Sequence, residues 1–131
     1  MVMLAADTNV WARAYLNDEP AQTRKARSAL AEACAAGGVF LPLLVLAELS
    51  WVLRGRWERE RVLNALQGLL QARGVTVESP VIAWKALQAA RNSAAGFADH
   101  LIAEVCFASG AGEVITFDKA FSRKPGVRRV K

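Results

Sequence analysis

The sequence predicts an α/β fold built on a parallel sheet covered on both faces. Two observations carry this. Short β-prone runs recur at residues 2–6, 39–41, 75–77, 113–117 and 127–130, and helical stretches separate them along most of the chain. Strands that alternate with helices are joined by crossovers, and crossovers make neighbouring strands parallel. A third observation bounds the size. With 131 residues, 53% of them hydrophobic, the chain suffices for a proper core in one domain spanning 1–131.

Each element has its own signal. The first strand, 2–6, passes through small polar residues into a helix over 8–16. Asp7 stands at the C-terminal tip of that strand, the edge where open parallel sheets bind ligands. Asp7 or Thr8 is also suited to capping the helix. Asn17, Asp18, Glu19 and Pro20 stop this helix and start another, with Pro tolerated in an acidic first turn. The second helix places Ala26, Ala29, Leu30 and Ala33 on one face and ends at Gly37 and Gly38. A short buried strand, 39–41, leads through Pro42 into an apolar helix, 43–53. There Leu46, Leu49, Val52 and Leu53 can face the core, and Glu48 is the only charge. Arg54, Gly55 and Arg56 break that helix. The next runs from 57 or 58 to 72, with Val62, Leu63, Leu66, Leu69 and Leu70 at helical spacing. After strand 75–77, Ser79 caps and Pro80 opens a helix to about residue 92. A loop over 92–96 precedes a helix beginning at Phe97, Ala98, Asp99 and His100 and closed by Gly110. Strand 113–117 ends at Asp118, residues 119–121 turn, and strand 127–130 is the last.

Net charge is +5, with a pI near 9.8. A basic chain of this kind favours a polyanionic partner, usually nucleic acid. No apolar run approaches the ~20 residues of a membrane span. No Lys or Arg precedes the short apolar run at the N-terminus, which excludes a signal peptide and makes the cytoplasm the expected compartment. Cys34 and Cys106 lie far apart in helical patterns, without Cys or His at zinc-ligand spacing. They are expected to be buried, reduced thiols.

Four carboxylates stand out by position. Asp7 ends the first strand, Glu48 interrupts an apolar helix, Asp99 lies in the first turn of a helix, and Asp118 ends a later strand. Right-handed crossovers bring parallel strand ends to one edge. Asp7 and Asp118 are then expected to be neighbours, with Asp99 above them and Glu48 within reach. Each has a plainer reading. Asp99 complements a helix dipole, Asp118 caps the turn before Phe121, and Glu48 pairs with Arg13 or Arg54, since an unpaired carboxylate on a buried face is costly. Taken together, four carboxylates in one crevice repel each other unless a cation neutralises them. Hard oxygen ligands without Cys or clustered His favour Mg²⁺ or Mn²⁺. Such an ion binds phosphate oxygens and activates water, and an acidic metal pocket on a basic protein suits phosphodiester hydrolysis.

These segments resemble the four motifs of PIN-domain nucleases. They are Asp7-Thr8-Asn9-Val10, Glu48 within Leu46-Ala47-Glu48-Leu49, Phe97-Ala98-Asp99-His100-Leu101-Ile102-Ala103, and Thr116-Phe117-Asp118-Lys119-Ala120-Phe121. The small single domain looks most like the VapC-type toxins of toxin–antitoxin pairs. The resemblance covers essentially the whole chain, in order. It implies a three-layer α/β/α sandwich with a central parallel sheet of about five strands. It implies an endoribonuclease dependent on Mg²⁺ or Mn²⁺. Asp7, Glu48, Asp99 and Asp118 become the catalytic set, with Asp7, Asp99 and Asp118 holding the metal, and Asn9 and Thr116 become supporting residues. It further implies a homodimer silenced by a small antitoxin protein. One position departs: many relatives carry an acid where this chain has Ala120, which favours one well-held ion in the absence of substrate.

Other residues carry weaker signals. His100, the single histidine, diverges by about 100° from Asp99 on a helix, so surface or packing is its default. Arg13, Arg54 and Arg56 are candidates for gripping RNA or a partner chain. Trp11, Trp51, Trp57 and Trp84 suit core or dimer anchors better than base stacking, because they do not alternate with basic residues on a strand. Two competing readings remain. One is a catalytically weak PIN-fold module that binds RNA or protein. The other is an aspartate-nucleophile phosphatase, disfavoured because Asn9 stands where a second Asp is typical.

Overall fold

In the computed structural model, which describes residues 2–131, the chain builds two units, one ending at Glu78 and one running from Ser79 to Lys131. In the first, β1 (Leu4–Ala5), α1 (Thr8–Leu16), α2 (Pro20–Ala35), β2 (Val39–Leu41), α3 (Leu43–Arg54), α4 (Arg59–Leu70) and β3 (Val75–Val77) follow one another. The strands lie in the order β1-β2-β3, all parallel, with Leu4 opposite Val39, and Val39 opposite Val75. Two helices make each crossover between neighbouring strands.

Local chemistry fixes these boundaries. Asp7 caps α1 by accepting a hydrogen bond from the Val10 amide at 3.1 Å, and Asn17 ends the helix in the left-handed region. The last carbonyls of α1 are met from α2. Thr23 donates its hydroxyl to the Arg13 carbonyl at 2.9 Å, and Arg27 donates Nε to that of Ala14 at 2.7 Å. The N-cap of α3 is Pro42, which supplies no side-chain bond. The Glu78 carboxylate supplies one from the far end of β3, accepting from the Leu43 amide at 2.9 Å. Gly74 turns the chain into β3 with φ of +84°, and a Cβ there would lie 2.6 Å from the Cys34 carbonyl oxygen. Only glycine fits both constraints. α1 packs on α2 and α3, and α3 on α4. Val39, Leu41, Leu46, Leu49, Leu53 and Leu66 are buried.

The second unit contains α5 (Pro80–Arg91), α6 (Phe97–Ala108), β4 (Val114–Thr116), a 3₁₀ turn (Phe121–Arg123) and β5 (Val127–Arg129). α5 and α6 pack together, and β4 and β5 pair in parallel from Val114–Val127 to Thr116–Arg129. Ala95, Ala103, Phe121 and Val127 form a buried cluster, with Phe107 and Val114 against it.

The α/β class, the helices and the parallel pairing agree with the sequence. Several details are corrected. The expected single sheet of about five strands is hydrogen-bonded as a three-stranded and a two-stranded sheet. Strands of two or three residues announce themselves by alternation, but alternation does not say how many join one sheet. The first strand is Leu4–Ala5 rather than 2–6, and it is exposed. α4 begins at Arg59 because the Trp57 amide donates back to the Leu53 carbonyl at 2.8 Å, closing a turn there. Ser79 occupies the N-cap of α5 but makes no side-chain cap bond, its backbone being left-handed at φ 49°. Trp11 is buried, whereas Trp51 is 62% exposed on α3 and so lies outside the core. Cys34 and Cys106 are free thiols and half-buried. Among the described residues no helix is long and apolar enough to cross a membrane.

Candidate functional site

The first unit brings two of the four acids to one place. Asp7 spends one carboxylate oxygen on the cap of α1. Its neighbour Thr8 donates its hydroxyl to Glu48 Oε1 at 2.6 Å, a length typical of a charge-assisted bond. Glu48 of α3 is therefore tied to the first turn of α1 beside Asp7, on the pair of helices that pack together. Asn9 is exposed in the same turn. Glu48 itself is exposed, against the expectation of a buried face, because Leu46 and Leu49 turn inward on either side of it. The plainer alternative, an ion pair with Arg13 or Arg54, is not what forms. Thr8 is the partner, and no periodicity signals a hydroxyl forty residues away.

Arg13 and Arg56 meet an acid that the sequence reading did not single out. Asp18 accepts from Arg13 Nη1 at 3.0 Å and pairs with Arg56 Nη2 at 3.1 Å, and Arg13 also reaches Glu19 at 3.4 Å. Arg56 thus clasps the α3–α4 turn to the α1–α2 turn, while Arg13 ties that turn back to α1. Arg54 is exposed at the end of α3. Partial desolvation raises the Asp18 pKa, but the hydrogen bond from Arg13 and the charges of Arg13 and Arg56 outweigh it and hold the carboxyl below its ordinary value. A depressed carboxyl stabilises the fold above its unfolded pKa, and that contribution is lost as pH falls through the folded value. Asp18→Asn is therefore expected to lower the melting temperature at neutral pH, with the gap closing as pH falls below about 4. Thermal melts of both proteins across that range check it; a gap that persists in acid would refute the clasp.

In the second unit Asp99 lies half-buried in the first turn of α6. Asp118 follows β4, and its Oδ1 accepts from the Phe121 amide at 2.9 Å, capping the 3₁₀ turn as one plain reading proposed. Thr116 supports that loop directly, since its hydroxyl oxygen accepts from the Asp118 amide at 3.0 Å. His100 is 1% exposed and sets its ring edge-on to Phe121 at 6.1 Å, the packing role expected by default.

Asp7 and Glu48 belong to the first unit, Asp99 and Asp118 to the second. Within neither unit, among the described residues, do three or more His, Cys, Asp or Glu side chains gather as a ready-made metal cluster. Among the described residues no Lys or Arg forms an ion pair with Asp7, Glu48 or Asp118, although the chain carries a net charge of +5. A family model described as the PIN domain matches residues 4–127. No curated protein and no solved structure gives a match.

Proposed function

This chain belongs to the PIN domain family, and from that premise we propose that it is a metal-dependent endoribonuclease, the toxin of a type II toxin–antitoxin pair. The single observation that carries this reading is the set of exposed carboxylates Asp7, Glu48 and Asp118, unpaired by any protein cation among the described residues of a basic chain. Elsewhere in the fold acids do find protein cations, as Asp18 and Glu104 illustrate. Acids left without one suit a cation from outside.

The donor set fits Mg²⁺ or Mn²⁺ in kind, because all its atoms are hard carboxylate oxygens. Asp7, Asp99 and Asp118 are the residues that would hold the ion. When bound, the ion supplies charge neutralisation at a phosphate and makes water a better nucleophile. Glu48, held by Thr8, completes the ligand set or orients the attacking water. Asn9 and Thr116 support the acids on either side. The excess of Lys and Arg draws in the RNA backbone without regard to sequence. A homodimer in the cytoplasm, silenced by a small antitoxin protein, accompanies the toxin assignment.

The test is incubation of cellular RNA with the purified chain in Mg²⁺ or Mn²⁺, in parallel with EDTA. Discrete fragments that vanish with EDTA are expected. Intact RNA in every lane, from folded protein free of any bound partner, would overturn the nuclease. Induced expression in a bacterial host is expected to arrest growth, and unimpaired growth would remove the toxin assignment.

A further inference from the structure

Away from the four acids, the second unit holds a cavity of about 370 Å³ between the α5–α6 loop, α6 and the 3₁₀ turn. Asn92, Ser93, His100, Arg123 and Lys124 supply its polar walls, and Ala120 supplies a small apolar one. We propose that this cavity binds a phosphate monoester, either a free nucleotide or the terminal phosphate of an RNA strand.

The sign of the lining comes first. Two cations face the cavity and no carboxylate is among its lining residues. Lys124 is held in place, its Nζ 2.8 Å from Glu104 Oε2 and its side chain only 12% exposed. Among the described residues no acid is ion-paired to Arg123. A guanidinium with an open fork matches two oxygens of one phosphate. Asn92 adds neutral donor capacity: its Nδ2 gives one hydrogen to the Gln88 carbonyl at 3.0 Å and has a second to offer. A monoester presents three terminal oxygens and a second negative charge near neutral pH. That suits a fork, an ammonium and an amide better than the two free oxygens of a diester.

The walls are also fixed before any ligand arrives. Asp118 caps the 3₁₀ turn, and within it the Arg123 amide donates to Ala120 at 3.2 Å and the Lys124 amide to Phe121 at 3.0 Å. The buried His100 ring rests on Phe121 and forms a rigid side. Preorganisation of this kind lowers the ordering cost of binding. The volume falls near the lower end of small-ligand pockets, roughly 300–1,000 Å³, enough for a phosphate with part of a nucleoside. Ala120 leaves that space open; an acid in its place would narrow it and cancel one positive charge beside the phosphate.

The site stands independently of the nuclease reading, and its test is binding, not turnover. His100 is the chain's single histidine, so its imidazole C–H signal is an unambiguous NMR reporter at constant pH in metal-free buffer. Inorganic phosphate, uridine 5′-monophosphate and a 5′-phosphorylated oligonucleotide are each expected to shift that signal saturably, while uridine leaves it in place. Arg123→Gln is expected to weaken binding about tenfold, the worth of one charge-assisted hydrogen bond, and Ala120→Asp to abolish it. Tighter binding of the mononucleotide assigns the free nucleotide as occupant, and tighter binding of the oligonucleotide assigns an RNA end. A signal unmoved by every phosphate compound, or moved equally in Arg123→Gln, would overturn the proposal.

Discussion

Asp7→Asn, Asp99→Asn and Asp118→Asn are each expected to slow RNA cleavage by at least about 100-fold, since even residues behind the ligands of a metal site commonly cost 10–100-fold when altered. The choice of asparagine matters, because the structure gives two of these acids a second task. Asp7 caps α1 and Asp118 caps the 3₁₀ turn, each through a single carboxylate oxygen accepting a backbone amide. Asparagine keeps that acceptor and is an equally good N-cap. It removes only the charge that a metal ion requires. Alanine at either position removes both, and Asp7→Ala is expected to cost about 1 kcal/mol of stability in addition. Time courses of cleavage, read beside urea unfolding of the same preparations, separate the two effects. The expected pattern is inactive Asn variants as stable as the parent, and an inactive, weaker Ala variant. Undiminished, metal-dependent cleavage by both Asp7→Asn and Asp99→Asn would sink the assignment of the site.

The legible part of this molecule was what repeats locally. Helix periodicity placed α1 and α5 within a residue of their observed bounds, because caps, prolines and apolar spacing are written in adjacent residues. Asp7 and Asp118 as caps, and Asp99 in a first turn, followed from the same local grammar. Contacts between distant segments were not legible. Thr8 meets Glu48 and Glu78 caps α3 across separations that no spacing rule reaches. Arg13 and Arg56 carried a positive charge that suggested RNA, yet Asp18 claims both. Charge composition predicts a field but not which acid a given arginine meets. Glu48 shows the same limit from the other side. A lone charge in an apolar helix looks buried until the helix is oriented, and only the packing of α3 on α1 and α4 orients it.

That orientation yields the second large effect. Leu49 is completely buried, while its neighbour Glu48 is exposed; successive residues on a helix point about 100° apart. Leu49→Ala deletes a methine and two methyl groups from a close-packed interior and leaves a cavity, at a cost of about 2–5 kcal/mol. Against a total stability on the order of 5–15 kcal/mol for a domain, that is a large share. Glu48→Gln one position earlier is expected to cost almost nothing, because the glutamine carbonyl still accepts the Thr8 hydroxyl and no buried surface is lost. In urea the Leu49→Ala midpoint should fall sharply with an unchanged denaturant slope, the signature of lost stability without a change in the surface exposed on unfolding. Equal midpoints for the two variants would mean that α3 does not present the faces described. The contrast also bears on the site, since Leu46, Leu49 and Leu53 are what hold α3 against its neighbours and so hold Glu48 within 2.6 Å of Thr8. The core is thus the means by which the Glu48 carboxylate is kept against Thr8, forty residues away and next in sequence to the first acid of the chain.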